Sequence, residues 1–424
     1  MLNRAKHAVA IILVVLAWIA LTQVAAAAAA AAAPPAREPQ TQTEWPVKKV
    51  GGDFTVDTPH YIVKTDISSE FAQKAAAQQE ALYADLMKRM GGVKPVAMSK
   101  ATVLITATRE RYVREANDTE GVSDGTYFPS RGLLVACGEK GRNRRILGIL
   151  RHEGSHQFIG VYMGSTTPTW LNEGLAVFYE QGFFDAGRLQ VGQVSLRRLV
   201  ELRAVIDEKR LEPFPSMLSM DHRTWLSKMK TAKDDESSGL YEQAWGMVYF
   251  LAYAEDGKYR PAFQQYIQLV AAGGVSVQAW EKVFGRDYAG FEARWRAYFA
   301  DLVPNSGDCE WSLRKLGELL WQWRDRKSAV ADLLAFRRAV FDMKPGPDDT
   351  AMTGLEMYQM CFRCPHEKNP GAKPSYEWVP ATDQSPPILR CRHHKGVVLE
   401  TAYKKDAKGQ ATVIVRSRPA GSAK

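Results

Sequence analysis

Two short runs of β-forming residues, Phe54-Thr55-Val56 and Tyr61-Ile62-Val63, open the patterned part of the chain and read as strands. From Ser68 to Met90 the period changes. Phe71, Ala75, Leu82 and Leu86 fall toward one face of a helix that stops at Gly91-Gly92. Ala101–Ala107 and Gly132–Cys137 are two further predicted strands. Beyond Asn143 the helical period dominates. Ile146, Leu147, Ile149, Leu150, Phe158 and Ile159 share a helix over 143–161, and Leu171, Leu175, Val177 and Phe178 share the next, with Pro168 suited to its first turn. Helices are also predicted at Leu196–Ile206, Leu240–Tyr253, Pro261–Ala271 and Tyr288–Leu302. Pro304-Asn305-Ser306-Gly307-Asp308 is a boundary, followed by one amphipathic helix over about 313–341. Val397–Leu399 and Thr412–Val415 then flank Asp406-Ala407-Lys408-Gly409 as a β-hairpin. No internal repeat interrupts this order. The pattern predicts an α+β chain with a small N-terminal sheet, a helical C-terminal half to its main domain (46–303), a helical connector (304–350) and a small β tail (351–424).

A length of 424 residues leaves room for two or three folded units. With 46% hydrophobic and 24% charged residues the chain is neither disordered, nor fibrous, nor a polytopic membrane protein. Its first segment changes the picture. Arg4, Lys6 and His7 precede an apolar run, Ala8 to Ala20, and small residues continue through Ala33. A positive start, an apolar core and Ala-x-Ala sites predict a secretory signal peptide over residues 1–33, hence a periplasmic or extracellular protein. A retained membrane anchor is the competing reading, because the stretch nears the ~20 residues needed to span a bilayer. Residues 34–45 read as a Pro-rich linker. The net charge of +9 is unevenly placed: 12 basic and 5 acidic residues lie from Cys361 onward, and residues 34–360 balance. Such a tail is either a solvated face or a surface that docks to an anionic cell-envelope polymer or acidic lipid heads. No aromatic-interleaved basic motif points to nucleic acid.

The chemistry is concentrated in one helix and its successor. Arg151-His152-Glu153-Gly154-Ser155-His156 contains His-Glu-x-x-His. Histidines four apart on a helix lie one turn above the other on one face, where both imidazoles can hold one Zn²⁺. Glu153 is displaced around the helix, close enough to take a proton from activated water without binding the metal. A third ligand is required, and Glu173, in Trp170-Leu171-Asn172-Glu173-Gly174-Leu175-Ala176, lies on the next predicted helix. The bland alternative makes these polar residues of solvated helix faces. Gly154 weighs against it, since a mid-helix glycine costs about 1 kcal/mol relative to alanine. So does the absence of a capping role for Glu173, because the residue three before it is Trp170.

With these residues in place the chain resembles the gluzincin metallopeptidases, and more narrowly the peptidase-MA-like exported bacterial proteins long grouped as a domain of unknown function. Pro59-His60-Tyr61, Thr65-Asp66, Leu240-Tyr241-Glu242-Gln243-Ala244-Trp245, Phe284-Gly285-Arg286-Asp287 and Glu292-Ala293-Arg294-Trp295-Arg296 agree with the likeness, which covers about residues 50–303. The resemblance implies His152, His156 and Glu173 as zinc ligands and Glu153 as general base and acid. It implies a strand that pairs with substrate backbone, for which Leu133–Cys137 is the expectation, and an oxyanion-stabilising residue, either Tyr241 or His222. One position departs from the family. Many gluzincins carry, four residues after the ligand glutamate, an acid that orients a histidine; here that position is Val177.

The tail carries a second metal pattern. Cys361-Phe362-Arg363-Cys364 and Cys391-Arg392-His393-His394 form Cys-x-x-Cys and Cys-x-x-His, so Cys361, Cys364, Cys391 and His394 are candidate ligands of a structural zinc. The alternative is a disulfide between Cys309 and one of the tail cysteines, which export favours. With Cys137 the count of cysteines is 5, so at least one is left over from any pairing. Two functions stay open: a zinc metallopeptidase acting on peptide or protein substrates, favoured by the intact Glu153, and a catalytically weak or inactive zinc-binding scaffold docked through its tail, favoured by Val177.

Overall fold

A computed structural model describes residues 44–91, 100–117, 123–138, 143–164, 167–185, 187–231, 238–344, 353–367, 375–383, 385–405 and 411–420. The expected signal peptide and nearly all of the linker lie outside the described residues. Two compact units emerge, one running to Trp311 and taking in Arg337–Pro365, the other formed by Ser312–Phe336 and His366–Lys424. They are called the body and the tail unit below, and the predicted connector divides between them. No helix among the described residues is long and apolar enough to cross a membrane.

The body begins with β1 (Val47–Val50), β2 (Asp53–Asp57) and β3 (Tyr61–Thr65), then α1 (Ser69–Arg89), β4 (Ala101–Thr106), α2 (Arg109–Ala116), β5 (Gly125–Phe128) and β6 (Leu133–Cys137). Six strands pair in the order β1-β2-β3-β4-β6-β5. The β3–β4 and β4–β6 ladders are parallel and the others antiparallel. Alternation along β4 and β6 sorts the side chains. Val103, Ile105, Leu134 and Ala136 meet Ala72, Ala75 and Ala76 of α1 on one face, while Leu104, Leu133 and Val135 meet Tyr112 of α2 on the other. The Ser68 hydroxyl accepts from the Phe71 amide and so caps α1.

Helices follow: α3 (Asn143–Tyr162), α4 (Thr169–Glu180), the short β7 (Phe183–Asp185) and β8 (Arg188–Gln190), then α5 (Leu196–Asp207), α6 (Phe214–Ser219), α7 (His222–Thr231) and α8 (Ser238–Gly257). Helical geometry in α8 ends at Tyr253, because Ala254–Asp256 leave it, Glu255 and Asp256 with φ of 50° and 60°. α9 (Arg260–Ala271), α10 (Ser276–Phe284) and α11 (Tyr288–Asp301) complete the helical half. Its core is aromatic, with Trp170, Trp245, Trp280 and Trp295 fully enclosed. Pro168 stands one residue outside α4, as its N-cap. Two glycines set how closely helices approach. A Cβ on Gly154 of α3 would meet Leu82 Cδ2 at 2.8 Å and Gln79 Oε1 at 2.9 Å, both on α1. The mid-helix glycine therefore serves packing, which gives it a structural reason where the sequence suggested a chemical one. A Cβ on Gly174 of α4 would lie 2.5 Å from the Ala244 carbonyl oxygen of α8.

The single helix expected over 313–341 is two: α12 (Cys309–Gln322) and α13 (Leu333–Phe341). The break falls at Arg324-Asp325-Arg326-Lys327-Ser328, where no apolar residue maintains the helical stripe and turns form instead, with the Arg326 amide donating to Trp323 O at 2.7 Å. After α14 (Gly354–Cys361) the tail unit builds one antiparallel sheet from β9 (Glu377–Val379), β10 (Ile388–Cys391), β11 (Val397–Lys405) and β12 (Ala411–Pro419), in the order β12-β11-β10-β9. The hairpin expected from the sequence is the β11–β12 ladder, longer than expected and with its turn outside the described residues. Gly317 of α12 packs over this sheet, its missing Cβ leaving room for Val413 and Thr401.

Gly174→Ala should therefore lower the unfolding midpoint, overpacking the α4–α8 contact by about 1–3 kcal/mol. Gly148→Ala, in α3 with no neighbour of the Cβ closer than 3.7 Å, is the control and should be neutral or stabilising. Thermal denaturation of both variants checks the pair.

Candidate metal centre

α3 carries His152, Glu153 and His156 into a cleft of about 580 Å³, and α4 brings Glu173 to the same wall. The two imidazoles stand with ring centroids 4.8 Å apart, as a helical i, i+4 pair should. Glu173 Oε2 lies 3.8 Å from His152 Nε2 and 3.6 Å from His156 Nε2. Ligands at ~2.0–2.1 Å around a tetrahedral ion are about 3.4 Å apart, so both Glu173 distances need only a small contraction, and all three ligand atoms lie within 4.8 Å of one another. The three sequence-predicted ligands are thus brought together.

The outer ring nitrogens are fixed by partners the sequence did not single out. His156 Nδ1–H donates to Asn172 Oδ1 at 2.9 Å, and His152 Nδ1–H donates to Glu180 Oε2 at 3.3 Å. In the neutral rings these contacts leave each Nε2 as the acceptor facing Glu173, the form that binds a metal. Glu180 supplies the carboxylate missing at Val177, which is buried in the helical core. It sits two turns beyond Glu173 on the same helix, and a search for acids at i+7 as well as i+4 would have found it. Arg151 locks the arrangement, its guanidinium donating to Tyr179 O and Glu180 O at 2.9 Å each and to Gln78 Oε1 at 2.5 Å. One buried cation thereby satisfies the carbonyls that end α4 and ties α3 to both α1 and α4.

Glu173 is 7% exposed, and its Oε2 has no hydrogen-bond partner among the described residues. A buried carboxylate oxygen with no hydrogen-bond partner, facing two imidazole nitrogens, is a costly arrangement without a cation. The donor set, one carboxylate and two neutral imidazoles with oriented rings, suits Zn²⁺. Burial raises the Glu173 pKa against the charge of His152. Burial alone would lower that of His152, but the Glu180 hydrogen bond and the charges of Glu153, Glu180 and Glu173 outweigh it and raise the value to about 9. Burial and the neighbouring His152 charge lower His156 to about 4. Of the two rings, His152 is therefore the one whose charged form its surroundings favour.

Glu153 lines the cleft without joining the ligand group. A side chain at Gly125 of β5 would come within 3.0 Å of Glu153 Cγ and 2.3 Å of Ile149, so this glycine leaves the carboxylate its room. Both oxyanion candidates reach the cleft. His222 is the exposed first residue of α7, and Tyr241, on the first turn of α8, packs edge-on against Trp225 with centroids 5.4 Å apart. Burial, then the charge of Glu173, raises the Tyr241 pKa, so its phenol keeps its proton. The substrate-pairing strand expected at Leu133–Cys137 is corrected. β6 lies inside the sheet with β4 and β5 on either side, so its backbone groups are engaged, whereas β5 is the edge and its residues Gly125, Thr126 and Tyr127 line the cleft.

The cysteines also differ from expectation. Among the described residues none of the five forms a disulfide. In the body, Cys364 Sγ has Cys309 Sγ within 4.8 Å, and Cys361 stands outside that group, buried on the last turn of α14.

A family model described as "Protein of unknown function (DUF1570)" matches residues 146–272. The chain is similar to that family from α3 through α9, a stretch that holds His152, Glu153, His156, Glu173, His222 and Tyr241. The sheet and the tail unit lie outside it. No curated protein matches the chain.

Zinc affinity of the apoprotein should rise about tenfold per pH unit up to the His152 value of about 9, because the ring is charged below that pH and must lose its proton to bind. Glu180→Gln should weaken zinc binding about 10–100-fold near pH 8.5 and flatten the dependence, since the ring no longer holds its proton. Competition titrations with a zinc chelator across pH measure both effects.

Proposed function

We propose that the chain is a zinc-dependent peptidase of the gluzincin kind, acting on peptide bonds of peptide or protein substrates outside the cytoplasm. The observation that carries this reading is a His-His-Glu group on the wall of an open cleft, with Glu153 beside it and outside the ligand set. His152, His156 and Glu173 would hold the ion. When bound, Zn²⁺ supplies a Lewis acid that polarises a carbonyl and makes water nucleophilic near neutral pH. Glu153 accepts the proton of the attacking water and returns it to the leaving amine. Tyr241, protonated, donates to the oxygen that becomes anionic at the attacked carbon, with His222 as the other donor on that side. β5, the edge strand of the sheet among the described residues, lies where an extended peptide could pair beside Glu153. The expected export rests on the N-terminal sequence alone.

The alternative reading, a scaffold that keeps the zinc group and docks to the cell envelope, draws on the tail sheet. Arg390, Glu400 and Arg416 face one another across β10, β11 and β12, and Arg418 lies two residues further on the same face. Arg390 and Arg418 share Glu400 at 3.1 and 3.4 Å, while Arg390 and Arg392 share Glu377. Four guanidinium groups against two carboxylates leave a positive face that suits an anionic polymer.

Two glutamates separate enzyme from scaffold. Glu173→Ala should lose zinc and turnover together. Glu153→Gln should keep zinc and fold while turnover falls by about 10²–10⁴-fold, the loss typical of a missing general base. Zinc analysis and cleavage of a broad peptide library, side by side with wild type, read the result. Wild type that holds zinc yet cleaves no faster than Glu153→Gln would remove the peptidase reading. For docking, retention on an anionic cell-wall preparation should fall as salt shortens the Debye length from ~10 Å at 0.1 M to ~3 Å at 1 M, and should fall at low salt in Arg392→Glu/Arg416→Glu. Retention indifferent to both changes removes the scaffold reading.

A further inference from the structure

Cys391 ends β10, where it pairs with Leu399 of β11, and is fully enclosed. Three residues later His394 stands in the turn that Gly396, at φ 76°, closes before β11. Cys391 Sγ and a ring nitrogen of His394 lie within 4.8 Å of one another. Other donors of the tail unit crowd the same place. His393 Nδ1 is 3.5 Å from Cys391 Sγ, its Nε2 is 3.8 Å from Glu367 Oε1, and the His366 and His394 rings have centroids 4.6 Å apart. Two short segments, 366–367 and 391–394, thus assemble a thiol, three imidazoles and a carboxylate.

A bland explanation would treat Cys391 as a small apolar core residue and the histidines as surface hydrogen-bonding groups. Two observations weigh against it. Cys-x-x-His is the spacing at which one turn presents sulfur and nitrogen to a common point. The half of the sheet that carries Cys391 is short, β9 having three residues and β10 four, and small β units usually rely on a crosslink or a metal.

We propose that the tail unit binds a second, structural Zn²⁺ with Cys391 thiolate and His394 imidazole as ligands, separate from the group on α3 and α4. Thiolate sulfur with imidazole nitrogen selects Zn²⁺ over the oxygen-seeking Mg²⁺ and Ca²⁺. A closed site takes four ligands, and His366, His393 and Glu367 of the same unit are the residues to substitute in order to complete the set.

The full-length chain, purified and equilibrated with Zn²⁺ alone, should bind two equivalents by elemental analysis. His156→Ala should retain one. Cys391→Ser and His394→Ala should each also retain one, the equivalent that His156→Ala abolishes, and the double variant His156→Ala/His394→Ala should hold none. Far-UV circular dichroism verifies folding, and His394→Ala serves if Cys391→Ser does not fold. His366→Ala, His393→Ala and Glu367→Gln then identify the other ligands by the same loss of one equivalent. A wild type with a single equivalent that His156→Ala removes would overturn the proposal, as would two equivalents surviving in both Cys391→Ser and His394→Ala. Because the two sites are counted separately, loss of the tail ion leaves the reading of the cleft untouched.

Discussion

A buried carboxylate oxygen on the cleft wall, facing two imidazole nitrogens, constrains the body of this protein. Water cannot satisfy Glu173 Oε2, and no neighbouring donor among the described residues does. The cost of that burial is several kcal/mol unless a cation is shared with His152 and His156. Everything around the group keeps the three atoms within reach of one ion. Gly174 lets α4 lie against the α8 backbone, Gly154 lets α3 lie against α1, and the Arg151 guanidinium fastens the end of α4 to both.

Electrostatics around this group follow a division of labour. Asn172 and Glu180 hold the outer nitrogens of the two histidines, but with different consequences. A neutral amide leaves His156 to burial, which lowers its pKa, while a carboxylate stabilises a proton on His152. The pair is thus asymmetric, the Glu180 carboxylate favouring the charged form of His152. Glu153 stands apart from this balance, on the cleft side of α3, where β5 leaves it space.

Much of the fold was legible because burial imposes periodicity. The long helices α1, α3, α4, α8 and α11 and the strands β2, β3, β4 and β6 stand close to where the apolar pattern placed them. Short elements escaped it. β5, four half-buried residues with no alternation in burial, has no period to detect, and yet it forms the sheet edge beside Glu153. α7 presents mostly exposed residues and escaped for the same reason, although it positions His222. The polar interruption at residues 324–328 was visible in the sequence but was overridden by the apolar residues on either side.

The sequence by itself determined what depends on spacing along one helix: a histidine pair at i, i+4 and a glutamate placed beside it. Local geometry alone makes those relations, so no fold is required to see them. It also determined the uneven charge, because composition is not altered by folding. Tertiary structure decided which groups meet across elements. It replaced the acid absent at Val177 with Glu180, exchanged β6 for β5 at the sheet edge, gave Gly154 a packing reason, and put Cys309 rather than Cys361 beside Cys364. Contacts of this kind are set by how helices and strands pack, and packing depends on side-chain volumes many residues apart, which no local period records.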